Sequence, residues 1–258
     1  MIGCKQNQTQ EQTVGLENTN TETETVLLGN VMTQAQQSAM SPDEVIKSLV
    51  DGNKRFMNDN LTARDYSEQV VNSATGQYPD AVILSCLDSR IPVENVFDRG
   101  IGDFFVARVA GNFANEDILG SLEYACKVSG SKLVLVLGHS NCGAINAAVD
   151  DVKLGNITPM LEKIKPAIAM IDYDGEKNSS NAEFVAMASE SNVRNTMDNI
   201  REHSPILKGM EDNGEIKIVG AIYNLGSGKV NWLEQRTSSL PVLSVKNFYF
   251  IHFDLGCF

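Results

Sequence analysis

Short, uniformly apolar runs alternate along this chain with longer stretches in which apolar residues recur every three or four positions. Ala81-Val-Ile-Leu-Ser85, Phe104-Phe-Val-Ala-Arg108 and Lys132-Leu-Val-Leu-Val-Leu-Gly138 are short runs of this kind. They read as strands buried on both faces. Ser41-Pro-Asp-Glu44 marks a helix start, with Ser41 as cap, Pro42 in the first turn and Glu44 closing a capping box. Val45, Ile46, Leu49, Val50 and Phe56 continue it at the helical period. Residues 115–128 are also helical by period and stop before Gly130, a residue suited to the left-handed position after a helix. Further helices are predicted over 144–152, 157–172 and 182–203. Residues 215–223 form a strand, and 224–228 a turn into Lys229-Val-Asn-Trp-Leu233, a hairpin at a sheet edge. Alternating strands and helices predict an α/β fold: a mainly parallel central sheet flanked by helices, with an antiparallel terminal edge strand. Sites in such sheets gather at the carboxyl ends of the strands.

The two ends of the chain break this pattern. Residues 1–40 are polar and of low complexity, rich in Gln, Thr, Asn and Glu, with one apolar patch at Val26-Leu-Leu28. Such a composition predicts disorder, so the folded domain is expected over 41–233. The 234–258 tail contains Phe248-Tyr-Phe-Ile251 and is apolar enough to dock on the fold or on a neighbouring subunit. Met1-Ile-Gly-Cys4 ahead of a polar run is similar to the end of a bacterial lipoprotein signal whose apolar region is missing. The expected location is therefore the bacterial periplasm, with a lipid anchor through Cys4; the alternative is a cytoplasmic protein with a plain polar tail.

With 258 residues, 42% of them apolar, the chain can bury a substantial core. A net charge of −12 argues against nucleic acid or an anionic bilayer as partner. No run of 18 apolar residues offers a transmembrane segment. Five cysteines in a chain this long do not make a disulfide framework. Cys126 lies in a helical pattern and reads as a buried small hydrophobe, whereas Cys257 in the tail has no assignment.

The chemistry concentrates at the ends of two predicted strands, in Ser85-Cys-Leu-Asp-Ser-Arg90 and Gly138-His-Ser-Asn-Cys-Gly143. Cys86, His139 and Cys142 supply two thiolates and an imidazole, a donor set that suits zinc. Three protein ligands leave a position for water or substrate, as in a catalytic zinc site. Asp88 either fills that position as a fourth ligand in a closed state or sits beside it. In an extended backbone Cys86, Asp88 and Arg90 share one side, and a bidentate pair with Arg90 would hold Asp88 off the metal.

Cys-x-Asp-Ser-Arg followed by His-x-x-Cys about fifty residues on resembles the β-class carbonic anhydrases. Gly100-Ile-Gly-Asp-Phe-Phe-Val-Ala-Arg-Val-Ala-Gly-Asn112, Ser121-Leu-Glu-Tyr124 and Gly220-Ala-Ile-Tyr223 agree with it, and the match covers about residues 41–233. The resemblance implies one Zn2+ per subunit on Cys86, His139 and Cys142. It also implies reversible hydration of CO2 to bicarbonate and a proton, by a zinc-bound hydroxide that the Asp88–Arg90 dyad orients. In the plant-like branch it places a substrate-binding glutamine on Gln77 and apolar wall residues on Phe105 and Tyr124, partly across a dimer interface. It assigns the Gly143 N–H to bicarbonate. Ala110 stands where that branch carries a wall valine, which implies a wider pocket. The family assembles as homodimers, often tetramers. A second branch has a regulatory bicarbonate site built on a tryptophan before the first zinc cysteine; the only tryptophan here is Trp232, so no such site is expected.

On the residues alone, Phe105 and Tyr124 read equally well as packing positions, and Gln77 as a loop residue. His203 and His252 offer no proton shuttle, so buffer is expected to take the proton. Two rival readings stay open: a hydrolase of carbon disulfide or carbonyl sulfide on the same scaffold, and a structural zinc site in a binding module.

Overall fold

A computed structural model describes residues 27–234. The stretch around Cys4 and the residues beyond Glu234, including Cys257, lie outside the described residues. The helices in chain order are α1 (Gln34–Ala39), α2 (Pro42–Met57), α3 (Tyr66–Ser73), α4 (Val93–Val96), α5 (Glu116–Glu123), α6 (Gly143–Val149), α7 (Ile157–Leu161), α8 (Lys165–Ala169), α9 (Ala182–His203) and α10 (Pro205–Asp212). The strands are β1 (Ala81–Ser85), β2 (Phe104–Arg108), β3 (Leu133–His139), β4 (Lys217–Tyr223) and β5 (Val230–Trp232). They form one five-stranded sheet in the order β2-β1-β3-β4-β5. All neighbours run parallel except β4 and β5, which pair as the expected antiparallel edge hairpin.

Alternation along the strands builds a core on each face. Ala81, Ile83, Leu133, Leu135 and Leu137 join Val45 and Leu49 of α2, Val93 and Val96 of α4 and Leu161 of α7. Val82, Val134, Val136 and Ile218 join Leu122 of α5, Val193, Met197 and Ile200 of α9, and Leu207 of α10. With both faces covered, β1 and β3 are buried at every position. That is the physical reason their sequences are continuous apolar runs and not alternating ones. From β1 the chain passes to β2 on one side and then to β3 on the other. The strand order therefore reverses between β1 and β3, and such a switch opens a crevice at the strands' carboxyl ends.

Several elements differ from expectation. Order begins before Ser41: Thr33 and Gln36 form a capping box on α1, and Leu28 bridges to Arg64. The buried Gln37 side chain donates to the Pro79 and Ser129 carbonyls, each at 2.7 Å. A segment docked through an amide leaves no apolar period to read. The helix predicted over 157–172 is two short ones, α7 and α8. Pro166 in the first turn of α8 has no N–H to give and its ring crowds the preceding turn. The 115–128 helix changes gauge after Glu123, and Ser129 N bonds Tyr124 O five residues back, a π turn over Tyr124–Val128. The 144–152 helix stops at Val149, with Asp151 at φ +52°. Ser41, Pro42 and Glu44 cap α2 as expected, and Gly130 takes φ +83° after the π turn. Cys126 is buried. Among the described residues, no helix is long and apolar enough to cross a membrane.

Two buried aspartates show how burial is compensated or not. The Asp98 side chain is fully buried and accepts from Arg55 Nε (2.5 Å), Arg64 Nη1 (2.6 Å), Thr62 N (3.0 Å) and Thr62 Oγ1 (2.7 Å). Burial pushes its carboxyl up, but these donors outweigh that and hold it at about 2. Asp80 is equally buried, and its nearest cation is Arg99 at 3.1 Å. Neither Asp80 oxygen accepts a well-aligned hydrogen bond, so burial prevails and raises its carboxyl to about 6. The two carboxylates therefore act in opposite directions. The lowered Asp98 contributes stability above an unfolded value of about 3.9, lost as pH falls through about 2. The raised Asp80 withdraws stability as pH rises from about 3.9 through about 6. Urea denaturation at pH 7 is expected to show Asp98→Asn costing about 3 kcal/mol, since it strands two arginines, and Asp80→Asn costing about 1 kcal/mol or less.

Candidate metal centre and its surroundings

β1 and β3 are neighbours in register, with Ser85 opposite Leu137. Cys86 therefore leaves the carboxyl end of β1 beside His139, the last residue of β3, and Cys142 follows three residues later as the N-cap of α6. All three are buried, and one ligand atom from each lies within 4.8 Å of the others. Cys86 Sγ and Cys142 Sγ are 4.0 Å apart. His139 Nδ1 meets the Ser140 carbonyl at 2.9 Å, which makes Nδ1 the protonated nitrogen and leaves the Nε2 lone pair free. Nε2 is buried and has no hydrogen-bond partner among the described residues. A buried acceptor with nothing to accept, grouped with two sulfurs, is an arrangement that could hold a cation.

Amides prepare the sulfurs for charge. Gly111 N lies 3.4 Å from Cys86 Sγ, and the Ala144 and Ile145 amides of the first turn of α6 address Cys142. Gly111 can do so because it sits at φ +81° with Ile164 Cδ1 only 2.5 Å from where a β-carbon would stand. The hydrogen bond from Cys142, then His139 and the Gly111 and Asp88 amides, draw Cys86 down to about 4 against burial. Cys142 is pushed up by the Cys86 sulfur and by burial.

Asp88 and Arg90 form the expected bidentate pair, Arg90 Nε to Oδ1 at 2.9 Å and Nη2 to Oδ2 at 2.7 Å. Their route differs from expectation. The chain turns at Ser89–Arg90, and the Arg90 amide itself donates to Asp88 Oδ1 at 3.0 Å. An extended backbone does not bring them together; a turn does. The Arg90 guanidinium holds the Asp88 carboxyl well below the usual carboxylate range. Asp88 Oδ2 lies 3.9 Å from His139 Nε2, beside the ligand group and held off it. Gly143 opens α6, with empty space where a side chain would project.

The remaining residues of the expected pocket do not converge within one chain. Phe105 lies opposite Val82 in the β1–β2 register, and its ring packs on Tyr124 at 6.3 Å between centroids. Phe105 packs against the core on the sheet face away from Cys86 and Cys142, and Tyr124 reaches that face through its contact with Phe105. They line an open cleft of about 640 Å³ along β2 and α5, which no metal-site residue enters. Tyr124 is 50% exposed. Gln77 is exposed in the loop ahead of the amino end of β1, and among the described residues it has no hydrogen bond to the Cys86 group. Ala110 follows Val109, whose amide extends the ladder to Ser85 O at 3.2 Å. His203 is exposed in the last turn of α9.

The carbonic anhydrase family model matches residues 81–230, a span that contains every ligand. The chain belongs to the carbonic anhydrase family of enzymes. Carbonic anhydrase 2 of Mycobacterium tuberculosis is 34% identical over 195 residues, which is 73% of this chain and 91% of that protein. The β-class fold extends the kinship to solved structures. The β-carbonic anhydrase of Aspergillus fumigatus superposes with a TM-score of 0.57 at 24% identity, covering 74% of this chain and 89% of that one. One of two tetrameric β-carbonic anhydrases from Sordaria macrospora gives 0.55 at 21% identity, covering 74% and 94%. Sequence reasoning missed Arg108 and Gly111, which address Cys86 and Asp88 from β2 and the turn after it; both stand within the 100–112 segment that carried the resemblance.

Because both sulfurs must lose their protons to ligate, metal retention is expected to fall as pH drops, followed by elemental analysis after gel filtration at a series of pH values. Cys142→Ala is expected to emerge without stoichiometric metal at any of them.

Proposed function

We propose that the chain catalyses the reversible hydration of carbon dioxide to bicarbonate and a proton on a zinc ion held by Cys86, His139 and Cys142. The observation that carries this reading is an ionised carboxylate held beside a three-ligand cation site, in a chain whose relatives are named carbonic anhydrases. Two thiolates with one imidazole favour zinc over the hard cations. When bound, zinc supplies Lewis acidity, lowering the pKa of a coordinated water from 15.7 toward roughly 7.

The protein's own groups do the rest. Asp88, kept ionised by Arg90, is an acceptor only. It can take a hydrogen bond from the attacking oxygen but cannot give one, which turns that oxygen's lone pair toward the substrate carbon. Arg90 occupies both carboxylate oxygens and so keeps Asp88 from becoming a fourth ligand. The Gly143 N–H, at the start of a helix where amides lack intrahelical partners, donates to an oxygen of the developing bicarbonate. The proton leaves to buffer.

Gln77, Phe105 and Tyr124 complete the pocket from a second copy of the chain. Support for this comes from their place. The aromatic pair flanks an open cleft at the edge of the sheet, where among the described residues β2 has no outer neighbour. An uncovered edge strand with half-exposed apolar residues calls for a partner. A homodimer, or a tetramer as in the Sordaria enzymes, closes it.

Stopped-flow CO2 hydration on metal-quantified protein tests the reading. Zinc-loaded protein is expected to hydrate CO2 and chelated protein not to; equal rates in the two would end it. Asp88→Asn is expected to keep its zinc and lose about 10²–10⁴ in kcat/KM.

A further inference from the structure

We propose that Arg108 is a positioning residue for Asp88, holding the main chain of the segment whose side chain Arg90 holds; this rests on the role given to Asp88 above. The β1–β2 ladder runs out at the Ser85–Arg108 pair, and past Ala110 the β2 chain turns away. On this side Cys86-Leu87-Asp88 leaves the sheet with no β2 strand beside it. The Arg108 side chain replaces the missing strand. Its Nε donates to Cys86 O at 2.9 Å and its Nη2 to Asp88 O at 2.5 Å. One planar fork thus grips both ends of the segment joining a metal ligand to the carboxylate.

Beyond Cys86, which is buried and takes the Gly111 amide on its sulfur, little else anchors that stretch. Leu87 is 60% exposed, so its side chain contributes little burial. The Asp88 carbonyl has one further donor, Ile91 N at 3.2 Å. Arg90 follows Asp88 in the same turn and moves with it, so it fixes the carboxylate only relative to that turn. Arg108 comes from β2 and ties the turn to the sheet. A lysine cannot substitute, because a single ammonium lacks the two diverging donors that reach carbonyls two residues apart.

Two variants, Arg108→Ala and Arg108→Lys, test this on the zinc-loaded full chain. Both are expected to retain one zinc per chain and a melting temperature within a few degrees of the parent. Both should lose about 10–100-fold in kcat/KM for CO2 hydration, the range found for groups that orient a metal site from outside it. Hydrogen–deuterium exchange should quicken across residues 85–91 and nowhere else in the sheet. In an Asp88→Asn background Arg108→Ala should change the rate less than twofold, since the residue acts through Asp88. The proposal is overturned if either variant hydrates CO2 within twofold of the parent, if zinc is lost along with activity, if exchange across 85–91 is unchanged, or if the two substitutions multiply. Failure of the parent to hydrate CO2 would instead overturn the function, and the exchange measurement would still report on the clamp.

Discussion

Two buried sulfurs 4.0 Å apart cannot both carry charge unless a cation lies between them. At an effective dielectric constant of 20 their mutual repulsion is about 4 kcal/mol, and burial adds to it. In the protein alone Cys86 is the readier of the two to give up its proton. A divalent ion held between them would outweigh that repulsion and could take the unpaired His139 Nε2 as a third donor. The scaffold around them serves this juxtaposition. Adjacent parallel strands deliver Cys86 and His139 side by side, and a helix start delivers Cys142 with amides toward its sulfur.

Around that centre, order is imposed by arginines spanning short distances in sequence or long ones in space. Arg90 holds a carboxylate two residues away through a turn. Arg108 reaches back across the sheet to the carbonyls of Cys86 and Asp88. Arg55 and Arg64 converge on Asp98 from α2 and from the loop that bridges to Leu28. Each satisfies groups that a ladder or a helix cannot. The contrast with Asp80, buried beside one arginine and without an aligned donor, shows that proximity of opposite charge is not enough. A buried carboxylate is stabilised by the number and aim of its donors.

The legible parts of the sequence were those where one local rule decides the outcome. Strands β1 and β3 showed as apolar runs because both their faces are covered, and the cap of α2 showed because Ser41, Pro42 and Glu44 are all local. Helix α1 did not show, because its docking residue is Gln37, a polar side chain satisfied by carbonyls 42 and 92 residues away. The 157–172 stretch has a helical period throughout, yet Pro166 divides it. Cys86, Asp88 and Arg90 were rightly grouped by spacing, but the turn that gathers them depends on a hydrogen bond from the Arg90 amide to a side chain.

Residue identity and order alone picked out the candidate donor set of Cys86, His139 and Cys142, the α/β alternation and the edge hairpin, since each follows from chemistry or periodicity within a few residues. Tertiary structure decided which groups actually meet. It put Phe105 and Tyr124 on the sheet face opposite the cysteines and brought Arg108 onto the Cys86 and Asp88 carbonyls. Such contacts depend on strand order and on where each ladder ends. No local pattern encodes these, because they are properties of how distant segments pair.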